Sequence, residues 1–294
     1  MGCSSLRHRL ERTLRGWVAA EQECPLTMPA LVDAHVHFHS RFEVEPFLDA
    51  ASQNLARARR KLKLAEAACV LLFADPQGWN SFREIRERIR GGRTSWSLGE
   101  TGEETSLIAR RDGDPQLILI RGSQVVTRER LEILLLASST KVRDGTPFEE
   151  AVDRALKFEA ITVLPWGLGK WFGGRGRLVR TAMESPAARN LFVGDNGGRL
   201  ARTPTPALIR RGIRKGVWNL PGSDPLPFPS QQARVGSRGF VLPGDLDHRR
   251  PSSEVRRLVG ELEAQPVTFG RGMGVVEFVA AQVRMQLHQR TRGG

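Results

Sequence analysis

The order of apolar and polar positions along the chain predicts alternating strands and helices. Residues 30–37 carry an apolar side chain at every second position, with β-branched Val32 and Val36 among them, and residues 68–74 form a continuous apolar run typical of a strand covered on both faces. Apolar positions at helical spacing follow these runs, over 44–66 and 79–90. The same reasoning predicts later strands at 160–164, 191–193 and 216–220, and later helices at 127–136, 147–159, 205–214, 252–264 and 275–289.

One stretch interrupts this alternation. Residues 106–109 and 116–120 are short apolar runs separated by a polar segment with the turn signal Asp112-Gly113, so we predict a β-hairpin there. Elsewhere the alternation favours an α/β fold, and at this length it predicts a TIM-like (β/α) barrel of seven or eight mostly parallel strands with one β-hairpin insertion. We expect residues 1–28 to form a helical leader and residues 29–294 to form a single barrel-like domain.

The large positive net charge of the chain has little effect on the predicted class of protein. The chain carries 45 Lys and Arg against 32 Asp and Glu, a formal net charge of +13. The basic residues are scattered, and the sequence contains neither an aromatic-interleaved basic strand nor a zinc-finger spacing. We therefore attribute the excess to a general arginine bias and expect no nucleic-acid partner; nucleic-acid binding through the arginines is the weaker alternative. A small anionic substrate is compatible with this charge.

The spacing of the cysteines and the lengths of the apolar runs indicate the cellular compartment in which we expect the protein. Three cysteines without paired spacing build no disulfide framework and suit a reducing cytosol. No apolar run in the sequence reaches the roughly 18 residues of a membrane span, and the polar, basic N-terminus lacks the apolar region of a secretory signal. We expect a cytoplasmic protein without a membrane partner.

The most informative residues lie in the first predicted strand, which contains Val-Asp-Ala-His-Val-His-Phe. Side chains at i and i+2 of a strand point the same way, so His35 and His37 present two imidazoles together. Imidazole binds divalent metals, and this spacing suits two neighbouring ligand positions. The alternative interpretations are two ordinary histidines at a strand end, or the remnant of a lost metal site.

This motif resembles the first-strand signature of the amidohydrolase superfamily of metal-dependent hydrolases. It is also similar to the opening motif of the polymerase-and-histidinol-phosphatase (PHP) phosphoesterases. The resemblance implies that His35 and His37 bind a catalytic divalent metal at the C-terminal mouth of a barrel. Asp224, which follows Asn219-Leu-Pro-Gly-Ser after a late strand, resembles the aspartate of those families that binds metal and takes the proton from the attacking water.

The sequence departs from both family patterns. Leu226 stands where the phosphoesterases usually have a histidine, and no histidine occurs between residue 40 and Asp224. We therefore predict one divalent ion, zinc or manganese, held by His35, His37 and Asp224. A further carboxylate would complete the ligands, and the candidates are Asp75, Glu100, Glu103 and Asp195.

Loops after the predicted strands supply candidate substrate-binding groups. In the glycine-rich stretch 164–176, Trp166 and Trp171 could stack on a ring or sugar, while Lys170 and Arg175 could hold an anion. Lys170 is also a candidate general acid. A packed surface loop explains this stretch equally well. Further candidates follow other predicted strands: Arg121, Gln124, Asp195 and Arg199.

Taken together, these residues predict a metal-dependent hydrolase that acts on a small anionic substrate through a metal-activated water, with Asp224 and Lys170 as catalytic groups. The alternative is a catalytically inactive barrel that binds an anionic or glycan ligand at a mouth formed by tryptophans and arginines.

Overall fold

The computed structural model describes residues 28–92, 94–158, 160–280 and 283–284. Apart from Met28, the predicted leader therefore lies outside the described residues. Part of the last predicted helix also lies outside them, and residues 275–280 of it are helical. The prediction of a leader followed by a single domain stays a prediction.

Strands and helices alternate only in parts of the chain. The strands are β1 (Ala30–Val36), β2 (Ala68–Phe73), β3 (Ser97–Glu100), β4 (Ser106–Arg110), β5 (Leu117–Ile120), β6 (Gly122–Val126), β7 (Glu132–Leu136), β8 (Ile161–Pro165), β9 (Leu191–Gly194), β10 (Gly239–Leu242) and β11 (Thr268–Phe269). The α-helices between residues 44 and 260 are α1 (Val44–Lys61), α2 (Ser81–Gly91), α3 (Phe148–Lys157), α4 (Gly173–Glu184), α5 (Ala207–Arg214) and α6 (Pro251–Gly260). Of the helices that the structure describes, none has the length and apolarity to cross a membrane.

The strands form two sheets. A seven-stranded mixed sheet has the order β11-β10-β1-β2-β5-β4-β3, and a four-stranded sheet has the order β6-β7-β8-β9. The predicted TIM-like barrel is therefore wrong, since the described residues form an α/β fold with two sheets and no closed barrel. The physical reason is strand direction. β1 pairs parallel with β2 but antiparallel with β10, and β8 pairs parallel with β9 but antiparallel with β7. These antiparallel neighbours interrupt the run of parallel strands that such a barrel needs.

Two local predictions had opposite outcomes. The hairpin is confirmed, because β4 and β5 pair antiparallel and Gly113 has a positive φ of 80° in their connection. The helix over 127–136 is wrong, because β7 occupies its second half and pairs antiparallel with β6. Here the chain reverses, with Arg130 in the left-handed region (φ 61°). A short apolar run such as 133–136 suits a buried strand as well as a buried helix, so periodicity alone cannot separate them.

Buried apolar side chains hold these layers together. One group contains residues of both sheets, such as Val32, Val70 and Val163. A second joins β1, β2 and β5 to α1 and α2, and a third joins the four-stranded sheet to α3, α4 and α5. β1 is buried along its whole length. The polar side chains at its C-terminal end therefore lie in an interior where they need partners.

Candidate metal centre

Two histidines meet at the C-terminal end of β1. His35 and His37 point to the same side of the chain, as their spacing predicts, with ring centroids 4.8 Å apart and an interplanar angle of 67°. Their Nε2 atoms are 3.0 Å apart, and both residues are buried. Two neutral imidazoles can place at most one proton between these nitrogens, so at least one of the nitrogens offers a lone pair.

Asp224 reaches the same point from a distant part of the sequence. The segment 221–224 runs beside the end of β1, where the N–H of Ala34 donates to Pro221 O (3.3 Å) and the N–H of Asp224 donates to His35 O (2.8 Å). Asp224 Oδ1 lies 3.7 Å from His35 Nε2 and 3.5 Å from His37 Nε2. The structure thus brings together the three residues predicted as ligands, and they form a group that could bind a metal ion.

Close backbone packing makes this approach possible. An ideal Cβ on Gly222 would lie 2.2 Å from His35 N, so only glycine lets the segment lie this near to β1. Asp224 has a φ of 46°, in the left-handed region that aspartate tolerates better than most residues. Both features direct the carboxylate of Asp224 towards the histidines.

Asp33 ties three segments together behind the histidines. Its fully buried carboxylate accepts hydrogen bonds from the backbone N–H groups of His35 (3.3 Å), Ser223 (2.8 Å) and Gly236 (2.8 Å). Burial raises the pKa of this carboxyl to about 6, although the hydrogen bonds from Ser223, Gly236 and His35 act in the opposite direction. Asp33 therefore supports the site through the backbone.

Amide side chains contact both kinds of ligand. Asn196 Nδ2 donates to Asp224 Oδ2 at 2.8 Å, which leaves Oδ1 for the histidines. Gln124 Oε1 lies 3.3 Å from His35 Nε2. Gln124 was predicted as a substrate-binding residue, whereas Asn196 carried no signal in the sequence beyond an Asn-Gly turn.

Burial and neighbouring charges set the protonation of the group. Burial lowers the pKa of His37 to about 3; a charge on His35 acts in the same direction and the Asp224 carboxylate acts against both. Burial alone would raise the pKa of the Asp224 carboxyl, but His35, His37 and Lys170 together hold it below its ordinary value. At neutral pH His37 is therefore neutral and Asp224 ionised, the forms in which imidazole and carboxylate bind a cation.

The donor atoms fit a divalent ion. Ligand atoms about 2.0–2.1 Å from a tetrahedral zinc lie roughly 3.4 Å from one another. The three observed separations, 3.0, 3.5 and 3.7 Å, lie around that value. Two imidazole nitrogens and a carboxylate oxygen are also a ligand set that zinc and manganese accept. The geometry of His35, His37 and Asp224 is therefore compatible with a bound metal ion.

The carboxylates predicted as further ligands have other partners. Asp75 accepts hydrogen bonds from the N–H and Oγ of Ser81, and Glu103 accepts them from the N–H groups of Ser252 and Ser253. Glu100 forms an ion pair with Arg86. Asp195 forms ion pairs with Arg199 and Arg238. The metal-binding group found among the described residues contains none of the four.

The pair Asp195 and Arg199, predicted to contact substrate, forms a buried ionic network. Arg199 Nε lies 3.0 Å from Asp195 Oδ1, and Arg238 Nη2 lies 2.5 Å from Asp195 Oδ2. Arg199 also donates to the hydroxyl of Thr203 at 2.9 Å. These contacts use the polar atoms of both side chains within the protein. Their role in substrate binding stays a prediction.

A cavity of about 620 Å³ lined mostly by polar residues, which we call the site cavity, is connected to the metal-binding group through Gln124; none of His35, His37 and Asp224 lines it. Gln124 lines it and also contacts His35. Four basic side chains line it together with one buried carboxylate, Asp75. The basic residues are Arg121, Lys141, Arg143 and Arg154. Arg121 was predicted from the sequence. Lys141 and Arg143 were missed because 127–136 was predicted as a helix; as a loop after β7, their segment would have been selected by the same rule that selected Arg121.

The predicted tryptophans line a different cavity. Trp166 and Trp171 lie with Leu168 and Phe172 around an apolar volume of about 540 Å³, the tryptophan cavity, and it shares no lining residue with the site cavity. Arg175 Nη2 donates to Gly169 O at 2.7 Å. Lys170 forms an ion pair with Glu132 and lies near enough to lower the pKa of Asp224. The substrate and catalytic roles of these residues stay predictions.

Comparisons with known proteins give structural matches only. No family model matches the chain, and no curated protein matches its sequence. The crystal structure of PsfC from Pseudomonas syringae aligns with a TM-score of 0.48 and 12% identity, over 88% of this chain and 98% of that one. The lesion-specific endonuclease Q from Pyrococcus furiosus aligns with a TM-score of 0.45 and 13% identity, over 81% of this chain. This chain spans 58% of the length of that endonuclease.

One further match bears on the predicted partners. A crystal structure of endonuclease Q in complex with a 27-mer duplex substrate, with an abasic lesion at the active site, aligns with a TM-score of 0.44 and 13% identity, over 81% of this chain and 58% of that one. Our expectation of no nucleic-acid partner is contradicted by this neighbour, which holds a duplex substrate, and is withdrawn.

Proposed function

We propose that this protein is a metal-dependent hydrolase that acts on a small anionic substrate held in the site cavity. One observation carries the proposal. The Nε2 atoms of the buried His35 and His37 and Oδ1 of the half-buried Asp224 form a triangle with sides of 3.0, 3.5 and 3.7 Å. In the forms that bind metal, all three atoms present a lone pair; these lone pairs would repel one another, and a bound divalent ion relieves that repulsion.

The proposed ligand set is His35, His37 and Asp224 around one divalent ion, zinc or manganese. Such an ion supplies an activated water and polarises the bond to be cleaved. The first-strand motif makes kinship with the amidohydrolases or the PHP phosphoesterases part of this proposal.

Residues of the chain would provide the remaining functions. Asp224 is ionised at neutral pH, and Asn196 fixes the orientation of its carboxylate, so it can accept a proton from an attacking water. Lys170 is the proposed proton donor to the leaving group, and it would have to separate from Glu132 to act. Gln124, between His35 and the site cavity, is placed to orient a substrate oxygen.

The charge of the site cavity supports an anionic substrate. Arg121, Lys141 and Arg143 have no carboxylate within ion-pair distance among the described residues, whereas Arg154 pairs with Glu150. Asp75 is the one carboxylate among the lining residues that the structure describes, so its negative charge offsets the cations only in part; burial raises the pKa of this carboxyl. An anionic group of a substrate would bind these three free cations.

Metal content and turnover test the proposal together. Protein stripped with a chelator and reconstituted with zinc or manganese is expected to retain about one ion per chain. The variant His35→Ala/His37→Ala is expected to retain none, and His248→Ala, which changes a histidine outside the cluster, is the matched control. Equal metal content in wild type and the double variant would refute the proposed site.

Turnover is then measured on a panel of phosphomonoesters, carboxylate-bearing amides and esters, and single-stranded and duplex oligonucleotides. Hydrolysis that chelation abolishes and metal restores is the expected result. A protein that binds metal and hydrolyses no member of the panel would instead support the catalytically inactive alternative.

A further inference from the structure

A second basic depression lies at the end of α1, apart from the metal centre. This α1 cleft has a volume of about 470 Å³ and lies between the last turns of α1, the 3-10 helix Pro229–Arg234 and the residues after β11. It shares no lining residue with the site cavity or the tryptophan cavity. Its basic side chains come from three separate segments: Arg57, Lys61, Arg234 and Arg271.

The balance of charge in the α1 cleft is positive. The lining contains four cations and no carboxylate, and Glu277 pairs with only one of them, Arg234. Arg57, Lys61 and Arg271 are exposed, and none has a carboxylate within 4.0 Å among the residues that the structure describes. The C-terminal end of α1 contributes a partial negative charge of roughly half a unit, which is smaller than the remaining positive charge.

Two buried polar atoms in the wall lack partners. Arg234 donates to Gly197 O through Nη2 at 2.8 Å and pairs with Glu277 through Nη1, but its Nε has no hydrogen-bond partner in the described part of the chain. The same holds for the buried Ser237 Oγ. Buried polar groups in folded proteins are nearly always satisfied. Both groups are hydrogen-bond donors on residues that line the α1 cleft, and an oxyanion is a ligand that such donors bind.

The remaining wall is apolar. Ala58, Leu62 and Phe269 line the α1 cleft beside the cations. A ligand that uses the whole cleft therefore has an anionic group and an apolar body. We propose that the α1 cleft binds a small organic phosphate, with the phosphate at Arg57, Lys61 and Ser237 and the organic part against Leu62 and Phe269. Phosphate suits this site because its several oxygens can accept from several donors at once.

Calorimetric titration of the metal-free protein of 294 residues with adenosine monophosphate tests this site. Saturable binding with one ligand per chain is expected, and adenosine without its phosphate is expected not to bind. Arg57→Ala/Lys61→Ala is expected to weaken binding by about tenfold or more. Ser237→Ala, which removes one donor and no charge, is expected to weaken it by about threefold. The matched control Arg60→Ala/Arg90→Ala removes two exposed arginines outside the cleft and is expected to leave binding unchanged.

Several results would overturn the proposal. The first is an unaltered affinity of Arg57→Ala/Lys61→Ala for adenosine monophosphate, and the second is an equal loss of affinity in the control variant. The third is the absence of saturable binding of both adenosine monophosphate and inorganic phosphate at millimolar concentration. Loss of binding in Arg121→Ala/Lys141→Ala but not in Arg57→Ala/Lys61→Ala would place the ligand in the site cavity instead. Because the titration uses metal-free protein, its outcome is independent of the proposed hydrolase activity.

Discussion

The side-chain amide of Asn196 donates a hydrogen bond of 2.8 Å to Asp224 Oδ2, while Oδ1 of the same carboxylate faces the two histidines. Asn196 is itself held in place, because its Oδ1 accepts the N–H of Gly198 at 3.2 Å. The amide thereby determines which carboxylate oxygen is available to a metal. Contacts of this kind behind the ligands are a main determinant of metal affinity.

Asn196→Ala is therefore expected to weaken metal binding by about 10- to 100-fold without unfolding the protein. Competition with a chelating dye measures the affinity. Asn80→Ala is the matched control, because the Asn80 side chain also accepts a backbone N–H, that of Arg83, but at the start of α2. The control is expected to lose about 1 kcal/mol of stability and to keep its metal affinity. Equal metal affinity in wild type and Asn196→Ala would show that the amide does not orient the ligand.

Gly222→Ala tests the close packing of the 221–224 segment on β1. Its Cβ would lie 2.2 Å from His35 N and 2.5 Å from His35 Cβ, so the backbone must move. We expect a loss of about 3 kcal/mol or more in the free energy of unfolding, together with loss of metal binding. Urea denaturation measures the first effect. Gly91→Ala, where a Cβ meets nothing within 4 Å, is expected to change stability by less than about 1 kcal/mol. Similar stability of the two variants would contradict this packing.

The buried carboxyl of Asp33 predicts a pH dependence of stability. Its pKa is raised from 3.8 to about 6 in the folded protein, mainly by burial. Between those values the folded state holds a proton that the unfolded chain has released, so the contribution of Asp33 to stability falls as the pH rises. Across the whole range between the two pKa values, the contribution of Asp33 to the free energy of unfolding changes by about 3 kcal/mol.

Comparison with Asp33→Asn isolates this contribution from that of other carboxyls. In metal-free protein, the unfolding free energy of wild type minus that of Asp33→Asn is expected to decrease as the pH rises from about 4 to about 6. Urea denaturation at several pH values in this window measures the difference. A difference that stays level or increases would mean that Asp33 is ionised throughout.

The basic side chains of the site cavity predict a specific kinetic defect. Arg121 and Lys141 lie near Asp75 without an ion pair, so both are available to an anionic substrate. Once a substrate is identified, Arg121→Ala/Lys141→Ala is expected to raise KM by about 100-fold or more with a smaller effect on kcat, since charge-assisted hydrogen bonds contribute about 1.5–3 kcal/mol each and two are removed. Arg60→Ala/Arg90→Ala serves again as the control of equal charge. A fall in kcat at unchanged KM would instead assign these residues to the chemical step.

Much of the local structure was predictable because it depends on short-range patterns. Helices α1, α2, α3, α5 and α6 and the hairpin of β4 and β5 lie where periodicity and turn residues predict them. The predictions failed where pairing with a neighbouring strand decides the secondary structure of a segment. The strand predicted at 216–220 is present in the described chain only as a bridge from Asn219 to Val193, and β7 was predicted as the end of a helix. An apolar side chain is buried equally well in either element, and only a neighbouring strand such as β6 selects one.

In the candidate site, too, some features follow from the local sequence and others depend on the tertiary structure. The i, i+2 spacing of His35 and His37 is a property of any extended strand, so two imidazoles on one side were predictable from a short stretch of sequence. Asp224 was named as a ligand only through the family resemblance, and the fold supplied its position. The fold also gave Asp75, Glu103 and Asp195 other partners and brought Lys141 and Arg143 together with Arg121. The position of Asp224 depends on contact between segments far apart in the sequence, such as the hydrogen bond from Asp224 N to His35 O. Residue types and local spacing carry no information about which segments pair. For that reason the alternation of strands and helices led to the wrong prediction of a barrel.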